Sequence, residues 1–174
     1  MSFLLVVYLA RDKSTNRDLN GGCKMIRLKQ LDSEYLETVM AFDKLNFPTD
    51  FWKAADWKDL MEDERALDYA FLDEENLVAN AFIYNWKGEK DYIKIMNISV
   101  HPKYRGHGLA CKLMNHVRDE MSVIGMKRFC GETRSSNKAM QTVFEKCGYH
   151  LDRIEEKYFQ NPDESAYKYV LELK

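Results

Sequence analysis

The 174-residue sequence is short of most features that would announce a specialised chain. It has three prolines and eight glycines, too few for a collagenous or low-complexity polymer. Its four cysteines, Cys23, Cys111, Cys130 and Cys147, are far apart, and none forms the C-x-x-C pair of a zinc site or dithiol motif. They read as small, buried thiols of a reducing cytoplasm, with Cys111 the one to test for reactivity. The formal net charge of -2 gives no global case for a nucleic-acid surface. The longest apolar run at the start, Phe3 to Leu9, is far short of a membrane span and lacks the basic flank and cleavage site of a secretory signal. These features point to a cytoplasmic protein with no membrane or nucleic-acid partner, either monomer or homodimer.

What is present is an ordinary globular composition, 45% hydrophobic and 31% charged, in a length suited to one domain. Residues 1–24 read as an N-terminal extension or an added cloning segment: a short apolar stretch, then a polar linker holding Gly21-Gly22. An added edge strand is the alternative. The domain itself is expected over 25–174. Met25 to Leu31 alternates apolar and polar, as a half-buried strand does. Asp32 or Ser33 can cap a helix carrying Leu36, Val39, Met40 and Leu45, which Pro48 ends. A second helical stretch is expected from about Thr49, through Phe51, Trp52, Trp57, Leu60 and Met61. Three strands follow, 66–72, 77–86 and 92–100, with polar turns between them, as in an antiparallel meander.

After Val100 the period changes. Leu109, Leu113, Val117, Met121 and Ile124 share one helix face, and Gly125 suits the stop. A short strand over 128–133 precedes a second helix with Ala139, Met140, Val143, Phe144 and Cys147 on one face, Ser135 or Ser136 as cap and Gly148 beyond its end. Strands over 149–159 and 167–173 close the chain. The order is β-α-α-β-β-β-α-β-α-β-β, a single mixed α/β domain.

The chemistry gathers at His101-Pro-Lys-Tyr-Arg-Gly-His-Gly-Leu-Ala110, a cationic, glycine-rich strand-to-helix corner. A helix N-terminus offers unpaired N–H groups and partial positive charge, which suits phosphate. Glycines let the backbone approach closely and take positive φ. No G-x-x-x-x-G-K-[ST] run exists, so this is not a P-loop. Gly106-x-Gly108 begins a dinucleotide fingerprint, but Cys111 holds its third glycine position and five residues separate it from the strand. A nicotinamide-linked reading, with Glu132 as the ribose-binding acid, is the weaker one.

The segment Val100 to Ala110 resembles the first motif of the GNAT superfamily of N-acetyltransferases, [R/Q]-x-x-G-x-[G/A], filled here by Arg105, Gly108 and Ala110. Asn137 to Tyr149 is similar to the family's second motif, a helix with an aromatic residue, here Phe144, that ends K-x-G-[F/Y], here Lys146-x-Gly148-Tyr149. The run Glu132-Thr-Arg134-Ser-Ser-Asn137 resembles that of RimI-type N-terminal-alanine acetyltransferases. The resemblance spans about Met25 to Lys174 and implies the GNAT fold, with acetyl-CoA as co-substrate and no metal. It implies pantetheine contacts with Asn97, Ile98, Ser99 and Val100, and pyrophosphate contacts with Arg105, Gly106, His107, Gly108, Leu109 and Ala110. Asn137 and Phe144 would also touch the cofactor.

By the same resemblance Glu132 is the general base for direct attack of an amine through a tetrahedral intermediate. Its bland alternative is a strand-end carboxylate paired with Arg134 or Lys127. Asp91 is a lesser candidate, better read as a turn residue. Phe144 stands where many members carry a proton-donating tyrosine. That departure keeps open a non-catalytic acyl-CoA-binding sensor, and makes Tyr149, Tyr158 or water the other proton sources. The acceptor is a small amine, a lysine or a protein N-terminus. Phe47, Phe51, Trp52 and Trp57 are expected on one wall of its groove, the 158–167 hairpin on the other. The acidic run from Asp59 to Glu75 could draw a cation, or simply be a solvated surface.

Overall fold

A computed structural model of the chain describes residues 15–17 and 23–174. The apolar run Phe3 to Leu9 lies outside them. Strands β1 (Thr15–Arg17) and β2 (Cys23–Leu31) are followed by a 3-10 turn at Ser33–Tyr35 and helices α1 (Leu36–Asn46) and α2 (Ala54–Glu62). Strands β3 (Ala66–Asp73), β4 (Asn76–Asn85) and β5 (Ile93–Val100) lead into helix α3 (Leu109–Val123). Then come β6 (Arg128–Arg134), α4 (Lys138–Lys146), β7 (His150–Phe159) and β8 (Glu164–Glu172). The strands form one sheet in the order β1-β2-β3-β4-β5-β6-β8-β7. From β2 onward the elements follow the sequence expectation. Ahead of them Thr15–Arg17, expected in a linker, pairs antiparallel with Cys23–Met25.

Two helical layers sandwich the sheet, because alternate strand residues face opposite sides. One layer packs Val39, Phe42 and Trp57 of α1 and α2 on Leu31, Ala70, Leu72 and Phe82. The other packs Leu109, Leu113, Val117 and Met121 of α3, with Phe144 of α4, on Phe71, Ile83, Ile95 and Phe129.

Local chemistry corrects several expectations. Helix α2 starts at Ala54, not near Thr49, because the Trp52 amide donates to Asp43 (2.8 Å) and Asp56 accepts from the Lys53 amide (3.3 Å). Leu45 is exposed, and Phe42 takes the buried place on α1. Asn137 caps α4, its side chain accepting from the Met140 amide, so neither serine does. Ala139 lies exposed while Gln141 is buried, its amide donating to the carbonyl of Ser135 (2.8 Å).

The functional half of the fold depends on β5 and β6. They are parallel neighbours, but only Ile93, Lys94 and Ile95 pair, with Phe129, Cys130 and Gly131. Across β4, Phe82 faces Asn97 and Ile83 faces Ile95, so Met96 is the extra residue of a β-bulge. The bulge puts Met96 against the α1–α2 core and points the Asn97 side chain at α1 as well. Beyond it, Asn97 to Val100 stay paired with β4 but have no ladder partner in β6.

Gly131 sits at the last paired position, and Phe144 lies directly on it. An added Cβ would stand 2.6 Å from the ring. The ring cannot retreat, being fully buried and stacked on Tyr169 (4.8 Å between centroids). Gly131→Ala is therefore expected to cost about 1–3 kcal/mol by overpacking, lowering the melting temperature by several degrees in a thermal denaturation scan. An unshifted melting curve would mean that the ring moves freely and that this contact does not fix the end of the pairing.

Candidate active site

Two residue sets meet where β5 and β6 separate. The first is the glycine corner. After β5, a 3-10 turn at Pro102–Tyr104 leads to Gly106 (φ 82°) and Gly108 (φ 75°), both left-handed, with Gly108 capping α3. A Cβ at either would meet open space, so backbone conformation rather than crowding requires glycine there. The first-turn N–H groups of α3 lack intrahelical acceptors, as at any helix start. Arg105 folds back, Nε donating to the Val100 carbonyl and Nη2 to the Asn46 side chain, both 3.0 Å. It ties the corner to β5 and α1. His107 is exposed beside it.

The second set lies on the sheet face shared with α1 and α2. Glu132, one residue past the last β5–β6 pair, accepts from Tyr158 Oη (2.6 Å) and Lys94 Nζ (3.2 Å) on Oε1, and from Lys168 Nζ (3.3 Å) on Oε2. Neither Arg134 nor Lys127, the partners of the alternative reading, is among them. Half-burial alone would raise the Glu132 carboxyl, but the Tyr158 hydrogen bond and the two ammonium groups outweigh it and hold it below its ordinary value. The Tyr158 hydroxyl is pushed up to about 12 by burial and by the carboxylate it faces.

Sequence reasoning missed Asp43. Buried on α1, it accepts from Asn97 Nδ2 (2.8 Å) on one oxygen, and from the Trp52 amide (2.8 Å) and Trp57 Nε1 (3.1 Å) on the other. One carboxylate thus anchors the bulge of β5, the α1–α2 loop and α2. The broken alternation Ile93, Ile95, then Ile98, Val100, was the readable sign of that bulge. Ser99 Oγ donates to Asn80 Oδ1 (2.7 Å), whose amide donates to the buried Asp68 (3.3 Å). Arg134 joins the two walls: it bonds both Asp50 oxygens, at 3.0 and 2.8 Å, and the carbonyls of Gln160 and Pro162, both 3.0 Å.

Other expected residues fall elsewhere. Phe144 is a core residue between Gly131, Tyr149 and Tyr169. The Tyr149 hydroxyl is buried with no hydrogen-bond partner, so Tyr158 is the tyrosine placed at Glu132. Asp91 accepts from the Gly88 amide within its turn. Trp57 is fully buried, Trp52 packs against it at a tilt (4.7 Å between centroids), and Phe51 is exposed. The acidic run does not face the groove as a unit: Asp63 pairs with Arg65 and Tyr84, Asp68 is buried, Asp73 meets Tyr104, and Glu75 meets Arg27. Cys111 on α3 and Cys147 after α4 bring their sulfurs to 2.8 Å, as free thiols. Among the described residues, no three His, Cys, Asp or Glu side chains gather as metal ligands, and no helix is long and apolar enough to cross a membrane.

A mixed sheet parted between two parallel strands, with a left-handed glycine corner leading into the next helix, is the arrangement that the resemblance to the GNAT superfamily implies. The profile of the Acetyltransferase (GNAT) family matches residues 28–149, and the chain belongs to that family. It is 32% identical over 73 residues to the [ribosomal protein bS18]-alanine N-acetyltransferase of Escherichia coli strain K12, covering 42% of this chain and 49% of the relative. The chain thus spans about half the length of that relative. The Haemophilus ducreyi protein of the same description is 24% identical over 105 residues, 60% of this chain and 70% of its own. The fold matches the crystal structure of the Escherichia coli ribosomal-protein-S18-alanine N-acetyltransferase with a TM-score of 0.77 at 22% identity, covering 86% of this chain and 95% of that one. Arabidopsis thaliana NAA60 in complex with acetyl-CoA gives 0.77 at 15% identity, covering 86% and 99%.

Replacing Asp43 with Ala would strand three buried or half-buried donors, each costing about 1–3 kcal/mol when left unpaired. The expected outcome is a marked loss of stability in urea titration, with Asp43→Asn retaining part of it. If Asp43→Ala unfolds at the wild-type midpoint, the carboxylate does not anchor the bulge.

Proposed function

We propose that the chain is an acetyl-CoA-dependent N-acetyltransferase acting on a primary amine, and that the amine is a protein or peptide N-terminus. The observation that carries this is the separation of β5 from β6 with Glu132 at its apex. The backbone edge of Met96 to Val100, unpaired with β6 and occupied by Arg105 at the Val100 carbonyl, suits the amides of a pantetheine arm. The left-handed glycines and the first turn of α3 suit a pyrophosphate. Gly106 to Ala110 would hold the phosphates, chiefly through backbone. Arg105 braces that loop, and Asn137 spends its side-chain oxygen on the α4 cap. Family membership and the bS18-alanine acetyltransferase relatives support the acceptor class.

When bound, acetyl-CoA supplies the activated acyl group. The residues of the chain govern the proton and the geometry. An amine entering over Lys94 and Glu132 must shed a proton before it can attack, because an α-ammonium has a pKa of about 8. Glu132 is ionised throughout the neutral range and receives that proton, directly or through water. Lys94 and Lys168 favour the neutral amine by charge, since a nearby cation lowers an ammonium's pKa. Tyr158 holds the carboxylate in place. Phe144 offers no proton, but a thiol with a pKa near 8.5 leaves acceptably as the anion.

The test is thiol release from acetyl-CoA with a panel of N-terminal peptides, lysine peptides and small amines, the product being located by mass spectrometry. Glu132→Gln is expected to lower kcat/KM by about 10²-fold or more, with acetyl-CoA affinity retained. An unchanged rate would remove Glu132 from the mechanism. Because the carboxyl sits below its ordinary value, it stays ionised across the neutral range and does not titrate there. The rise of kcat/KM between pH 6 and 8 should therefore follow the acceptor's own ionisation, near pH 8 for an α-amine, and keep its midpoint in Glu132→Gln. A midpoint that moves with the mutation would assign the limb to Glu132 instead.

A further inference from the structure

Beside Glu132, on the α1–α2 face of the sheet, lies a cavity of about 330 Å³. Five cationic side chains line it: Lys90, Lys94, Arg128, Arg153 and Lys168. The lining carboxylates are Glu132 and Asp152. It adjoins a second hollow through Lys90, Tyr92 and Lys94, which continues past Trp86 and Met96 towards Leu60 of α2. The opposite end of β6 is crossed by Arg134 and Asp50.

The cations are not all spent on partners. Lys94 and Lys168 share Glu132, and Lys168 also meets Glu155 (2.9 Å). Arg153 pairs with Asp152 (2.8 Å). Arg128 stands 3.8 Å from Glu172, and both are more than half exposed, a weak pairing in water. Lys90 lies 4.2 Å over the Trp86 ring rather than on a carboxylate. With Glu155 and Glu172 included, cations still outnumber carboxylates by five to four.

An ammonium ion approaching this passage is repelled, which keeps the reacting amine neutral but does nothing to recruit it. We propose that the acceptor recruits itself through carboxylates: an amine followed within a few residues by acidic groups that meet Lys90 and Arg128 while the amine reaches Glu132. This rests on the acetyltransferase reading above and adds a substrate class to it. Acidic peptides and small acidic amines share that chemistry, and the assay separates them.

The first arm is equilibrium binding, without acetyl-CoA, of fluorescent peptides with a free N-terminus followed by acidic, neutral or basic residues, alongside competition by free aspartate and glutamate. Acidic flanks should bind about tenfold or more tighter than basic ones at low salt, the gap closing as added salt screens the charges. Lys90→Glu/Arg128→Glu, at exposed positions, should invert the order. Competition by free aspartate would assign the site to small acidic amines, and its absence to peptides. Equal binding of acidic and basic peptides, or an order that charge reversal leaves intact, overturns the proposal.

The second arm repeats the series as acetylation. Acetylation of all peptides without charge preference sinks the acidic-acceptor inference and leaves the transferase reading standing. Charge-selective binding with no acetylation of any amine overturns the transferase reading and the acceptor role with it, and leaves only an acidic-ligand site.

Discussion

Strands β5 and β6 run parallel for three residue pairs and then part, and nearly every functional feature of the chain can be traced to where that contact stops. Each strand carries a local irregularity at the stop. On β6, Gly131 admits the Phe144 ring against the backbone, and a larger residue would push the ring off Tyr169. On β5, the bulge at Met96 turns the following residues.

The opening is held by polar groups buried at their own cost. Asp43 stabilises the bulge from the α1 side because three donors converge on it, which makes an interior carboxylate tolerable. Asp68, Asn80 and Ser99 form a second interior chain of hydrogen bonds across β3, β4 and β5. Burial raises the Asp68 carboxyl to about 7, while its Asn80 partner lowers it less. Hydrogen bonding of this kind is directional where hydrophobic packing is not. It therefore suits a sheet that must be rigid on both sides of a gap.

Much of the frame was legible in the residues. Alternation marked β2, polar turns set off β3 to β5, helical spacing marked α3, and the glycine corner was found because its chemistry is local: two glycines and a cationic loop before a helix are contiguous. What stayed hidden is what depends on distance along the chain. The partners of Glu132 lie on three other strands, 26, 36 and 38 residues away in the cases of Tyr158, Lys168 and Lys94, and no local pattern could nominate them. Residue type misled as well. Leu45 and Ala139 fit an apolar stripe yet face solvent, whereas Asp43 and Gln141 are polar and buried because each has partners that spacing does not reveal.

An open seam inside a sheet is also an unguarded edge. Natural sheets shield their outer edges with charge, proline or bulges, because free N–H and C=O groups invite any extended chain to pair. Here the seam lies at the centre, between strands that cannot close it, and what limits trespass is access: helices cover both faces, and Arg134 bars one end. The protein is thus a sheet with one rung missing. Any molecule able to complete it adds its binding energy to the fold itself, in proportion to the logarithm of its concentration over its dissociation constant. The abundance of that molecule in the cell and the lifetime of the folded chain are then one linked quantity.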